Sequence, residues 1–212
     1  MNAGQLIEKI IELDEEILKL QDEFDGIAEK DRESALAKEI DQIISTVSED
    51  DIVPMKLFRM IEMAVTLDNG PVFLAERMST KNDEIREQLG YALIEIANED
   101  GLDSIMPAIE LAIKKDDLST LDMPYVLGRI EDPMVSSQLV RFLDNKNVKV
   151  VYAAIEACVH IGDPDSIEAL KKLVDDKREI PVEDDELGED EVITVGQMAT
   201  EAITLIESEE EL

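Results

Sequence analysis

The sequence predicts an all-α fold, an α-solenoid of tandem helical hairpins with a further helical hairpin closing its N-terminal end. Three observations predict it. Turn signals recur in step at Asn69-Gly70, Asp100-Gly101, Asp132-Pro133 and Asp163-Pro164, spaced 31, 32 and 31 residues apart, and a fixed period of this length is the mark of a repeat architecture. Between the signals the apolar residues keep a helical period rather than an alternating one. With four Phe, three Tyr and no Trp in 212 residues, the core must come from Ile, Leu, Val, Ala and Met, which suits packed helices.

Residues 1–49 read as two helices. Leu6, Ile10, Leu13, Ile17, Leu20, Phe24 and Ile27 alternate steps of four and three, a sustained heptad,. Leu36, Ile40, Ile43 and Val47 resume the rhythm after a break near Gly26 to Asp31. Two readings are open. The pair forms an antiparallel hairpin capping the solenoid, since terminal repeats need a polar outer face, or residues 6–27 form a coiled coil that joins two copies in a homodimer.

Residues 50–212 read as the repeat array. Asp at a helix N-cap accepts backbone N–H bonds, and Pro at the next position has no donor to lose and a suitable φ. Asp132-Pro133 and Asp163-Pro164 should therefore each open a helix, and Asn69-Gly70-Pro71 fits the same role. Further breaks near Lys81-Asn82, Asp116-Asp117, Asp144-Asn145 and Asp175-Asp176 make the unit helix, short turn, helix, longer turn. Val151, Ala154, Ile155, Cys158 and Val159 form an apolar stripe before one turn, and Ile167, Leu170, Leu173 and Val174 another after it. Neither helix buries its stripe alone, and stacked hairpins bury both.

The stretch VKVVYAAIEACVHIGDPDSIEALKKLVDD, residues 148–176, resembles a HEAT repeat of the short bacterial and archaeal kind, also called PBS-lyase-like. Ile161-Gly162-Asp163-Pro164 is its most specific part. Residues 119–145 keep the Asp132-Pro133 turn without the glycine, and the likeness extends over roughly residues 50–207. It implies a rod with an extended surface for binding other proteins. On that fold the second helix of each hairpin lines the concave face, which would present Arg77, Lys114, Ser137, Arg141, Lys171 and Lys172 as exposed candidates for a partner-binding site. Some relatives attach or cleave bilins, so a bilin lyase-like subunit acting on a chromophore protein is one alternative function.

An acidic loop is expected at about 177–191, where residues 183–191 carry seven acids in nine, too charged to join a core. It is no EF-hand. With Gly188 at the sixth place, Leu187 would fall on a ligand position and Thr194 where a bidentate Glu is required. A last helix follows near Thr194 to Glu207.

Fifty-two acids against twenty bases give a formal charge of −32, which makes nucleic-acid backbones and anionic membranes repulsive partners. The excess sits mainly in residues 1–50 and 151–212, leaving 101–150 nearly neutral. A second alternative follows, an acidic mimic of nucleic acid occupying basic DNA-binding surfaces. No apolar run approaches the roughly 20 residues of a membrane span, and a lone cysteine cannot form an internal disulfide. Both suit the cytoplasm.

Catalytic chemistry finds little support. Cys158 and His160, the single Cys and the single His, lie two apart on a helix and so face different ways, and Cys158 reads as a core residue. Together they cannot complete the usual zinc set. No glycine-rich phosphate loop occurs. The sequence-based expectation is a non-enzymatic protein-binding scaffold or adaptor with no cofactor, no metal and no catalytic residues.

Overall fold

A computed structural model of the chain describes residues 3–49, 51–180 and 193–209. The acidic run 183–191 lies outside the described residues. In chain order the helices are α1 (Ala3–Asp25), α2 (Glu29–Thr46), α3 (Met55–Val65), α4 (Gly70–Arg77), α5 (Asp83–Asp100), α6 (Met106–Lys115), α7 (Leu118–Leu127), α8 (Val135–Leu139), α9 (Val148–Ile161), α10 (Ile167–Leu170) and α11 (Val195–Glu209). Single 3₁₀ turns lead into α6 and α10 and extend α10 to Leu173.

The fold is all-α and its helices lie in two layers. In the first, α3, α5, α7, α9 and α11 stack each on the next; in the second, α4 packs on α6, and α8 and α10 continue the row against α9 and α11. Between the layers one apolar cluster runs from Leu36 to Ile206. Ile85, Leu89, Ala92, Leu93, Ile96 and Ala97 of α5 show the 3.6-residue spacing that puts them on its buried side,.

The breaks between elements are chemically specified. Asn82 caps α5, its Oδ1 accepting from Ile85 N at 3.0 Å, and Asn147 caps α9 by accepting from Lys149 N at 3.0 Å. Asp117 and Thr120 close a reciprocal capping box at the start of α7,. Gly162 ends α9 at φ +70°, the left-handed conformation that favours glycine,. Asp163 then accepts from Asp165 N at 2.9 Å, and Asp132 accepts from Met134 N at 2.8 Å, so both Asp-Pro pairs turn the chain into a second helix.

Those second helices are short. α8 has five residues and α10 four, because beyond Leu139 the chain tightens into i→i+3 bonds such as Phe142 N to Leu139 O at 2.9 Å, which swing Phe142 into the core.

At the N-terminal end α2 packs on α3 through Leu36, Ile40 and Ile43. Among the described residues no element packs along α1. Its tie is at the C-terminal end, where Phe24 lies half-buried and the Arg32 guanidinium sits 5.8 Å from its ring and 2.9 Å from Asp25.

At the other end, strands β1 (Glu179–Ile180) and β2 (Ile193–Thr194) pair antiparallel and close the base of the acidic segment. Arg178 clamps this region, holding Asp176 and donating to Asn145 O at 2.8 Å. Gly196 lets α11 start against the chain at Val174 to Asp176; a Cβ there would lie 2.5 Å from Val174 O.

Candidate functional site

The first layer carries an aromatic face. The chain has three tyrosines, and its stacking places Tyr91 on α5, Tyr125 on α7 and Tyr152 on α9. Tyr91 and Tyr125 are exposed and line a groove of about 320 Å³ between α5 and α7, with Arg129 at its rim. Gly90 keeps the floor open, since its Cβ would meet Val126 Cγ2 at 3.1 Å.

Each polar group here has a defined role. Arg86 donates to Asp122 Oδ2 at 2.6 Å, to Asp83 Oδ1 at 2.7 Å and to Thr80 O at 2.8 Å, so it is a wall of the groove rather than a free cation. Burial pushes the Asp122 carboxyl above its ordinary range, and Arg86 opposes that rise. The Tyr91 hydroxyl donates to Glu87 Oε1 at 2.8 Å, and the Arg129 guanidinium lies 5.3 Å from the Tyr91 ring centre, within reach of a cation–π attraction. Glu156 accepts from Tyr152 at 2.6 Å and from Tyr125 at 3.3 Å.

Burial first, then the Glu156 charge, raises the Tyr125 hydroxyl well above its usual range, and the hydrogen bond to Glu156 pushes Tyr152 up to about 12. Both stay protonated at neutral pH, fixed as donors. The rings are therefore pre-oriented by internal hydrogen bonds and offer apolar faces with little side-chain entropy left to lose.

The six residues singled out from the sequence lie on the second layer. Arg77 is not open there: its side chain is 10% exposed, 3.7 Å from the Phe73 ring centre and 2.9 Å from Asp41, so it ties α4 to α2. Arg141 bridges to Glu110 at 2.7 Å and joins the α8 turn to α6. Lys171 pairs with Glu168 at 2.8 Å, and Ser137 donates to Met134 O at 2.7 Å. Lys114 and Lys172 stand exposed. The structure spreads these residues along α4 to α10 rather than around one pocket.

Cys158 is buried, and burial pushes its thiol up to about 12, the state of a core residue rather than a nucleophile. His160 is exposed on the last turn of α9. Among the described residues no group of three His, Cys, Asp or Glu side chains is placed to hold a metal ion, and no helix is long and apolar enough to cross a membrane.

Two stacked layers of short helices in step, each hairpin touching its neighbours, define an α-helical repeat solenoid,. Residues 125–184 match the family model for HEAT repeats. Over that segment the chain resembles HEAT-repeat proteins, and the stacked hairpins around it have the fold of such a solenoid. No curated protein matches it.

Proposed function

We propose that this chain is a non-enzymatic protein-binding scaffold of the cytoplasm, and that its partner seats on the face formed by α5, α7 and α9. HEAT repeats generally mediate contacts between proteins. The observation that carries the choice of face is the gathering of all three tyrosines on one layer, two of them exposed at the edge of a groove with Arg129 beside them. Tyr and Arg are the residues that dominate binding energy at protein interfaces, because they bring large area and directed polar contacts together.

The experiment is quantitative co-purification of the tagged full-length chain from its host, with Tyr91→Ala/Tyr125→Ala and Arg129→Glu compared against Arg141→Glu/Lys171→Glu. The reading expects the first two variants to lose a stoichiometric protein partner while keeping their melting curves, and the third to retain it. Retention by the tyrosine variant would rule this face out, and loss only in the third would move the site to the second layer.

A further inference from the structure

We propose that α1 is a dimerisation helix, and that two copies of this chain join through it as a parallel two-stranded coiled coil. The inference does not depend on which face of the solenoid binds a partner. Its starting point is an apolar stripe that the chain's own fold leaves open. Leu13, Ile17 and Leu20 are 43%, 44% and 57% exposed, and among the described residues no element packs along the helix. A stripe of branched aliphatic side chains facing water on a helix tied down only near its end is unfavourable in a monomer.

The sequence of the stripe specifies its occupant. Steps of four and three put Ile10, Ile17 and Phe24 at the a positions and Leu6, Leu13 and Leu20 at d. Ile at a with Leu at d is the arrangement that packs best in two parallel strands, because the β-branched side chain fits the parallel geometry of the a layer and the γ-branched one that of the d layer.

Charge at the borders of the seam selects the same arrangement. Although the helix is strongly acidic, five of its acids, Glu8, Glu12, Glu15, Asp22 and Asp25, fall on the outer b, c and f positions. In a parallel pair each g position faces the next e of the other strand, so Lys9 meets Asp14 and Glu16 meets Gln21, while Glu23 has no e partner because α1 ends at Asp25. One contact is attractive and none sets like charges together. Reversing one strand sets g against g, which brings Lys9 to Glu23 but also sets Glu16 opposite the other copy's Glu16, a like-charge contact that the parallel pair lacks. The e and g positions are those that set orientation in coiled coils.

Phe24 is half-buried against the core, so it is not free to join the seam and the seam is short. The dimer is therefore expected to dissociate on dilution.

The test is sedimentation velocity of the full-length chain over a roughly hundredfold dilution series, with Leu13→Glu/Ile17→Glu alongside. These side chains are exposed in the single chain, so the variant should keep the wild-type melting curve measured on dilute, monomeric samples. A second variant, Leu13→Cys, reports orientation: parallel strands bring the two d-position thiols face to face, and Cys158 is buried and takes no part. The expected result is a wild-type dimer that dissociates on dilution, a monomeric double variant, and a disulfide-linked dimer of Leu13→Cys under mild oxidation. A wild-type chain that is monomeric throughout, a trimer, or a dimer that persists in the double variant would overturn the proposal. A dimer in which Leu13→Cys fails to cross-link would overturn the parallel arrangement.

Discussion

Asn82 does two jobs at once, and two substitutions separate them. Its side chain is 2% exposed. Oδ1 caps α5, and Nδ2 points the other way, 2.8 Å from Ser48 O and 3.3 Å from both Glu49 O and Asp51 O. One amide thus pins the segment after α2 to the head of the repeat array. Asn82→Ala removes the cap, worth about 1 kcal/mol, and the hydrogen bonds to the carbonyls after α2, about 0.5–1.5 kcal/mol more, so a loss of about 1.5–2.5 kcal/mol is expected. Asn82→Asp is the sharper probe. Asp is as good a cap as Asn and its charge suits the helix dipole, so capping alone predicts no loss. Here, however, the carboxylate would face carbonyl oxygens in a buried site without a compensating cation. The expected cost is at least that of Asn82→Ala at neutral pH. It should shrink in acid, because a carboxyl whose folded pKa is raised regains stability as pH falls through that value. Asn147→Asp is the control: Asn147 caps α9 but is exposed, and the change should stay within about 0.5 kcal/mol. Urea denaturation followed by circular dichroism measures all three. Wild-type stability for Asn82→Asp would refute the second role.

Three further outcomes follow from particular contacts. Gly196→Ala should destabilise by about 2–4 kcal/mol and lower the melting temperature by about 5–15 °C, because its Cβ would press on Val174 O and Asp176 O and break the 2.9 Å bond from Gly196 N to Asp176 O; scanning calorimetry decides. Cys158 should resist a thiol reagent in native buffer and react only as fast as the protein opens, since its thiol is buried and raised,; rapid labelling of the folded chain would contradict its placement. Melting temperature should rise with added salt and as pH is lowered from 7 to about 5, because 32 excess negative charges repel and the raised Asp122 takes up its proton before the unfolded chain does,. It should then fall in stronger acid, because Arg178 depresses Asp176 and that contribution is lost as pH drops through the folded value,.

What was legible in the sequence was whatever local chemistry specifies. Asp163-Pro164 and Gly162 act through φ preferences and caps that reach no further than two residues, so the turn they predict is the turn that forms. The stripe Leu36, Ile40, Ile43 likewise needs only the helical period, and all three are buried. The aromatic face was not legible in this way, because Tyr91, Tyr125 and Tyr152 meet only through the stacking of α5, α7 and α9. A signal was present for two of them: Tyr91 lies nine residues after Asn82 and Tyr125 eight after Asp117, so α5 and α7 present them at nearly the same height, whereas Tyr152 lies only five after Asn147. Arg77, expected to be exposed, is covered for a related reason. A cation on a helix reads as solvated until its neighbours are known, yet Phe73 lies four residues before Arg77, the spacing at which a guanidinium covers a ring,. The hairpin of β1 and β2 had no readable pattern, since two residues a side are too few to show alternation. Features set by one or two helical turns could be read directly, and those requiring the register between repeats became visible only once the layers were stacked.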